Sequence, residues 1–168
     1  MKKHVFEDVL KDNAVIVRPD EGECLTANRV TVTLKVTSEI SYDQLGVYEI
    51  ELNPMTIGAK LHYHRYMDET FIVKEGVLTV QLAEEQYAAE PGTVVYVPRF
   101  TAHGFRNDSS ENVKLLLIFN PGQKREGFFR GLHEILNENP VDTDKFSKLY
   151  HQYDSIPVDA SDIIPMED

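Results

Sequence analysis

His62 and His64 stand two residues apart, and Glu69 follows five residues after His64. On an extended strand alternate side chains share a face, so two imidazoles in this arrangement project together, about 6.6–6.8 Å apart along the backbone. They can converge on one ion, and Glu69, returning on the next strand, can add a carboxylate oxygen. His103, from a distant part of the chain, supplies a third imidazole. Alone, a histidine pair reads as a half-exposed strand more readily than as a ligand pair. The company of Glu69 and His103 turns the reading toward a metal site. Other chemistries find less support. No GxxxxGK[ST] loop is present, and no serine sits in a nucleophile elbow. His133 begins His133-Glu134-Ile135-Leu136-Asn137, which lacks the second histidine of a zinc-protease helix and reads as a surface helix residue. His4 and His151 read as solvated side chains.

These residues need strands to hold them, and the sequence predicts many. Val30, Val32, Leu34 and Val36 alternate with threonines and Lys35, the period of a strand with one buried face. Further β-type runs span 46–52, 57–64, 70–74, 77–82, 93–97, 103–106 and 113–119. They are punctuated by Asn53-Pro54, Glu75-Gly76, Pro91-Gly92, Pro98 and Asn107-Asp108-Ser109-Ser110. Short strands with close turns and no long helix between them predict an antiparallel sandwich or barrel, not a parallel α/β sheet. After Pro121-Gly122 the period changes. Phe128, Phe129, Leu132, Ile135 and Leu136 recur at helical spacing, and Asn139-Pro140 ends that segment. Asp142 or Thr143 can cap a second helix with Phe146, Leu149 and Tyr150 on its inner face. A helical hairpin lying on the barrel is the expectation. The stretch from Ser155 to Asp168 carries Asp159, Asp162, Glu167 and Asp168 and no basic residue, and it reads as a solvated acidic tail. Ile156, Val158, Ile163 and Ile164 give it a means of anchoring to a partner.

The 168 residues suit one domain, and 42% hydrophobic content supplies a core. The formal net charge of −11 opposes nucleic-acid binding and docking on anionic membranes. Cys24 is the lone cysteine, so no internal disulfide forms, and it reads as an unreactive residue. No run approaches the ~18 apolar residues of a membrane span. Met1-Lys2-Lys3-His4 meets acidic residues before any apolar stretch and does not read as a signal peptide. The expectation is a cytoplasmic protein with a small-molecule substrate and no nucleic-acid or membrane partner.

The two histidine windows resemble the two conserved motifs of the cupin superfamily. The first reads His62-x-His64, four residues, Glu69, six residues, Gly76. In the second, Gly92, Pro98, His103 and Asn107 fall at the family's intervals. Asp68-Glu69-Thr70-Phe71 and the ending Pro121-Gly122…Gly127-Phe128-Phe129-Arg130 are similar to small single-domain bacterial cupins grouped with quercetin-dioxygenase-like proteins. Two positions depart from the pattern. Thr56 stands where a glycine is expected, with Gly58 displaced by two, and Phe100 replaces the glycine after Pro98. A bulky residue tolerates φ > 0 less well than glycine, so the turn at Phe100 is expected to take another conformation and to narrow the pocket mouth.

The resemblance implies an antiparallel double-stranded β-helix, the jelly-roll or cupin barrel, mostly β with a C-terminal helical segment. Residues 1–122 form the barrel with its N-terminal strands, 123–153 the helices packed on it, and 154–168 the acidic tail. It further implies that His62, His64, Glu69 and His103 bind one divalent transition metal ion. Three imidazoles and a carboxylate are a borderline donor set, suited to Fe, Mn, Ni, Cu, Co or Zn. The activity implied is that of a metal-dependent dioxygenase on a small hydroxylated, polyphenol-like substrate, with Glu69 as both ligand and catalytic base. A non-catalytic binding module is the alternative from another class. A redox-neutral isomerase or decarboxylase is a third, and it calls for charge inside the barrel, with Lys60 and Arg106 as candidates. Tyr63, Tyr66, Phe71, Tyr96, Phe105 and Phe119 read first as barrel core and second as substrate walls. A homodimer is expected from the same likeness.

Overall fold

Alternating burial along the strands builds two antiparallel sheets in a computed structural model, which describes residue 11, residues 13–159, residue 161 and residues 163–165. One sheet contains β1 (Glu23–Ala27), β2 (Val30–Val36), β3 (Gly46–Leu52), β5 (Asp68–Glu75), β8 (Val94–Val97) and β10 (Val113–Asn120). Its order is β1-β2-β3-β10-β5-β8. The other contains β4 (Thr56–Tyr63), β6 (Leu78–Leu82), β7 (Glu85–Ala89), β9 (His103–Asn107) and the two-residue β11 (Ile156–Pro157), in the order β11-β4-β9-β6-β7. The fold is mostly β with a C-terminal helical segment, as expected. Val32, Leu34, Tyr48, Ile50, Leu52, Phe71, Val73, Leu115, Leu117 and Phe119 point inward from the larger sheet. Leu78, Val80 and Phe105 meet them from the smaller one. The apolar run 115–119 is therefore the middle of β10, the strand between β3 and β5.

Gly76, the last position of the first motif, has φ +72°, and a Cβ there would lie 2.5 Å from the Asn112 carbonyl. Only glycine meets both conditions, which lets β5 turn tightly into β6. Gly58 works differently. The Phe105 ring lies where its Cβ would be, 2.1 Å from the built position, so the displaced glycine is a packing seat for an aromatic ring.

The helices follow the expected periods. A four-residue turn, α1 (Ser38–Ser41), leads into β3. The first long helix, α2 (Arg125–Leu136), buries Phe128, Phe129 and Ile135; the second, α3 (Thr143–Gln152), buries Phe146, Leu149 and Tyr150. Asp142 is the cap of α3, its carboxylate accepting from the Asp144 and Lys145 amides at 3.0 Å. Glu126 fixes α2 to the larger sheet, accepting from the Tyr48 hydroxyl at 3.2 Å and from Ser38.

The acidic tail requires a correction. Ile156 and Pro157 pair with Tyr63 and His62 of β4, the Val158 amide donates to the Leu61 carbonyl, and Ile163 is buried. The isoleucines anchor this segment to the chain's own barrel, because burying them there removes apolar area from water without needing a partner. Met1 to Lys3, His4, Asp162, Glu167 and Asp168 lie outside the described residues. Among the described residues no helix is long and apolar enough to cross a membrane.

Candidate metal centre

His62 lies on β4 and His64 directly after it, Glu69 on the inner face of β5, and His103 at the start of β9. β4 and β9 pair with His62 opposite His103, so these two imidazoles sit side by side, ring centres 4.5 Å apart. The larger sheet contributes Glu69 from across the core. The four side chains are 1–3% exposed, and their ligand atoms all lie within 4.8 Å of one another. The structure thus brings together every residue that the sequence put forward for the site.

The orientation of the three rings is informative. His62 Nδ1 lies 2.8 Å from the Lys60 carbonyl, His64 Nδ1 2.6 Å from the Asp154 carbonyl, and His103 Nδ1 2.8 Å from the Thr101 carbonyl. A carbonyl only accepts, so each Nδ1 carries a proton and donates it. In a neutral ring so held, Nε2 is a bare lone pair. Nε2 of His64 and of His103 face the same Glu69 oxygen, Oε2, at 3.0 and 2.7 Å. Lone pairs and a carboxylate crowded at these distances repel unless something positive sits among them. A proton satisfies one ring. A cation satisfies all of them, and backbone-anchored imidazoles are the arrangement that fixes metal-ligand tautomers. This group can hold a metal ion.

Charge distribution agrees with that reading. Burial opposes ionisation of Glu69, but His103 and His64 outweigh it and hold the carboxyl well below its ordinary value of 4.5. Burial likewise presses on His103, yet the Glu69 charge overcomes it and raises the imidazole above 6.5. His62 is driven well below 6.5 by burial and then by the neighbouring imidazoles, and His64 is lowered chiefly by burial.

A cavity of about 50 Å³ reaches two of the four residues, His62 and Glu69. His62 and Glu69 form its polar end; Val32, Ile50, Phe105, Leu117 and Phe119 line the sheets, and Phe128, Phe129, Leu132 and Tyr150 close it from the helices. The hairpin is therefore the cover of the cavity as well as packing for the barrel. Of the aromatics singled out in the sequence, Phe71, Phe105 and Phe119 are core, whereas Tyr66 and Tyr96 are exposed.

Phe100 departs from expectation. It keeps the left-handed conformation, φ 63°, that a glycine would favour, because its amide donates to the His64 carbonyl at 2.7 Å and its ring stacks on Tyr63. The ring is 67% exposed and does not line the cavity, so it does not narrow it. Arg106 is also excluded from the cavity; it pairs with Asp108 at the surface. His133 is half-buried on α2 away from the centre, and His151 and Cys24 are exposed.

Two residues escaped the sequence reading. Asp154, with φ 57°, accepts from the Arg65 and Tyr66 amides at 2.8 and 2.7 Å through its carboxylate, while its carbonyl holds His64. Arg125, at the start of α2, is 3% exposed and lines the cavity. A left-handed position that favours Asp or Asn was the available sign for Asp154. For Arg125 the sequence offered none, since a basic residue at a helix start reads as surface.

A family model described as a cupin domain matches residues 48–119, a stretch that contains all four candidate ligands. Quercetin 2,3-dioxygenase of Bacillus subtilis (strain 168) is 38% identical over 71 residues, 42% of this chain and 20% of that protein. The chain thus spans a fifth of the length of this curated relative. Among solved structures, KdgF from a Halomonas species gives a TM-score of 0.57 at 18% identity, covering 64% of this chain and 94% of that one. A protein described as a predicted oxalate decarboxylase from Thermotoga maritima gives 0.59 at 16%, covering 64% and 99%. The polyketide cyclase RemF from Streptomyces resistomycificus gives 0.56 at 18%, covering 64% and 79%. At these identities the solved structures bear on the fold alone.

Proposed function

From the premise that this chain belongs to the cupin superfamily, we propose that it is a metal-dependent enzyme of dioxygenase type acting on a small hydroxylated substrate. The observation that carries this reading is the set of three backbone-anchored imidazoles whose Nε2 atoms gather with the Glu69 carboxylate at the end of a largely apolar cavity. His62, His64, Glu69 and His103 would hold one divalent transition metal ion, which would supply Lewis acidity and, as Fe, Mn, Ni or Cu, the redox chemistry a reaction with dioxygen needs.

The chain's own residues do the rest. Phe105, Phe119, Phe128 and Phe129 exclude water, so charge in the cavity is weakly screened. Glu69 receives the substrate hydroxyl proton; with its carboxyl held low it is a weak base, suited to a hydroxyl already made acidic. The Tyr150 phenol, pushed up to about 12 chiefly by burial, stays protonated at neutral pH and so can donate a hydrogen bond into the cavity. Cavity size limits the substrate. At about 30 Å³ per water in the liquid, the space holds roughly two waters, which corresponds to only a few heavy atoms. A two-ring polyphenol enters only if α2 and α3 swing away. The dioxygenase reading therefore favours small enols, diketones and hydroxy acids over flavonols.

Oxygen uptake tests the reading. Protein loaded in turn with Fe, Mn, Ni and Cu is offered a panel of small enols, β-diketones, hydroxy acids and flavonols. Consumption of dioxygen with incorporation of both atoms into product is the expected result, and no uptake with any pair would refute it. A second reading, a redox-neutral lyase or isomerase of small acids, draws on Arg125, a charge within the cavity. Substrate loss without oxygen uptake would select it. The reading also includes a cytoplasmic homodimer, for which sedimentation of the purified chain is the check.

A further inference from the structure

Arg125 is a buried cation with no anionic partner bonded to it among the described residues. Its terminal nitrogens donate to the Tyr153 carbonyl and to the Ser155 hydroxyl, both at 2.8 Å and both neutral. Its guanidinium lies 3.7 Å from the Phe128 ring centre and 4.9 Å from that of Phe119, so aromatic faces replace water on the flat sides. Its Nε is the one buried side-chain nitrogen or oxygen among the described residues with no hydrogen-bond partner. A buried charged donor left unpaired is costly, and such groups persist where a ligand completes them.

Arg125, Glu69, His62 and Tyr150 line the same cavity. The Tyr150 hydroxyl makes no hydrogen bond to another described residue, so the cavity lining carries a second available donor. Glu69 is the strongest charge acting on the guanidinium and partly balances it in the metal-free chain. Metal binding removes that balance. With a divalent ion on neutral imidazoles and Glu69 committed to it, the cavity retains a net double positive charge in a low-dielectric setting. Neutral apolar molecules would leave that charge unanswered.

We infer that the cavity takes a small carboxylate-bearing molecule, its carboxylate held by the Arg125 guanidinium and the Tyr150 hydroxyl and its other oxygen directed toward the His62–Glu69 end. This rests on the reading of that end as a metal site and names the substrate class it would serve. The arginine comes from a helix of the cover, so docking the anion would also hold the cover closed over it.

Binding of acids against their neutral amides is the test. Formate, acetate and lactate are titrated calorimetrically beside formamide, acetamide and lactamide, at constant ionic strength, into metal-stripped and Zn²⁺-loaded protein. At least one acid is expected to bind about ten- to a hundredfold tighter than its amide, the worth of a charged hydrogen bond in a dry site. That preference is expected to vanish in Arg125→Met, which keeps the apolar stem against Phe128, and to survive in part in Arg125→Lys. Circular dichroism checks each fold; if the methionine variant does not fold, the acid-over-amide ratio of the wild-type and lysine proteins decides. Acids and amides binding alike in both metal states, or an acid preference unchanged in Arg125→Met, would overturn the inference. Loss of metal binding in the same wild-type preparation, with the acid preference intact, would sink the metal reading and leave the anion site standing.

Discussion

Asp154 is the residue through which the tail reaches the centre, and removing its carboxylate gives a result that can be worked out in advance. The carboxylate accepts from the Arg65 amide at 2.8 Å, the Tyr66 amide at 2.7 Å and Arg65 Nε at 3.2 Å, and the residue is 5% exposed. Each amide bond to a charged acceptor is worth about 1.5–3 kcal/mol when dry, but Tyr66 is exposed and water can serve there, which cuts the value to about 1 kcal/mol each. The contact with the largely solvated Arg65 side chain adds little. Alanine at φ 57° costs a further ~1 kcal/mol. Asp154→Ala should therefore lose about 2–4 kcal/mol, or roughly 4–16 °C in Tm for a chain of this size. The backbone carbonyl that holds His64 Nδ1 belongs to the same residue, so the ring loses its fixed direction and metal affinity should fall about 10- to 100-fold. Asp154→Asn, which tolerates the left-handed backbone and keeps an acceptor, should lose less than half of each. Competitive titration with a chromogenic chelator, beside thermal unfolding, reads both. Wild-type metal affinity in a thermally weakened Asp154→Ala protein would show that Asp154 supports the fold without positioning His64.

Metal-free protein should be most stable near pH 6.5. The raised His103 contributes fully below 6.5 and loses its share as pH climbs through its folded value; the lowered His62 and His64 penalise folding as pH drops below 6.5, and Glu69 adds a loss below 4.5. Urea midpoints in chelator from about pH 4 to about pH 9 check this, and a midpoint still rising on the alkaline side would contradict it. Gly58→Ala should lose about 1–3 kcal/mol, because the new Cβ meets the Phe105 ring and pushes it into the cavity; an unchanged Tm would mean that the ring has another place to go. Phe100→Gly relieves about 1–2 kcal/mol of left-handed backbone and forfeits about 0.5–1.5 kcal/mol of stacking on Tyr63. Its stability should stay within about 1 kcal/mol of wild type with metal content unchanged, and loss of metal would place Phe100 nearer to the site than its exposed ring suggests.

Much of the site was legible because strand geometry carries it. An H-x-H pair at the end of β4 needs only the two-residue period to place both rings inward, and the antiparallel pairing of β4 with β9 does the rest for His103. Asp142 could be read as a cap because capping is a local hydrogen bond. β7, Glu-Gln-Tyr-Ala-Ala, escaped because it is exposed along most of its length and has no apolar alternation to reveal it. Arg125 and Asp154 escaped for a different reason. Their roles arise where α2 and the segment after α3 fold back over the barrel mouth, contacts that join residues 30 and 90 positions apart. Phe100 misled because a glycine-type turn was assumed to need glycine, whereas one backbone bond to His64 and one ring contact hold it in place.

The central claim is that His62, His64, Glu69 and His103 hold one metal ion. Elemental analysis of protein purified without added metal and again after loading, set beside His103→Ala treated identically, tests it most directly. Close to one divalent transition metal ion per wild-type chain, with most of it lost in the variant, is the predicted result. Equal metal content in the two proteins, or none in the wild type after loading with each candidate ion, would contradict the account.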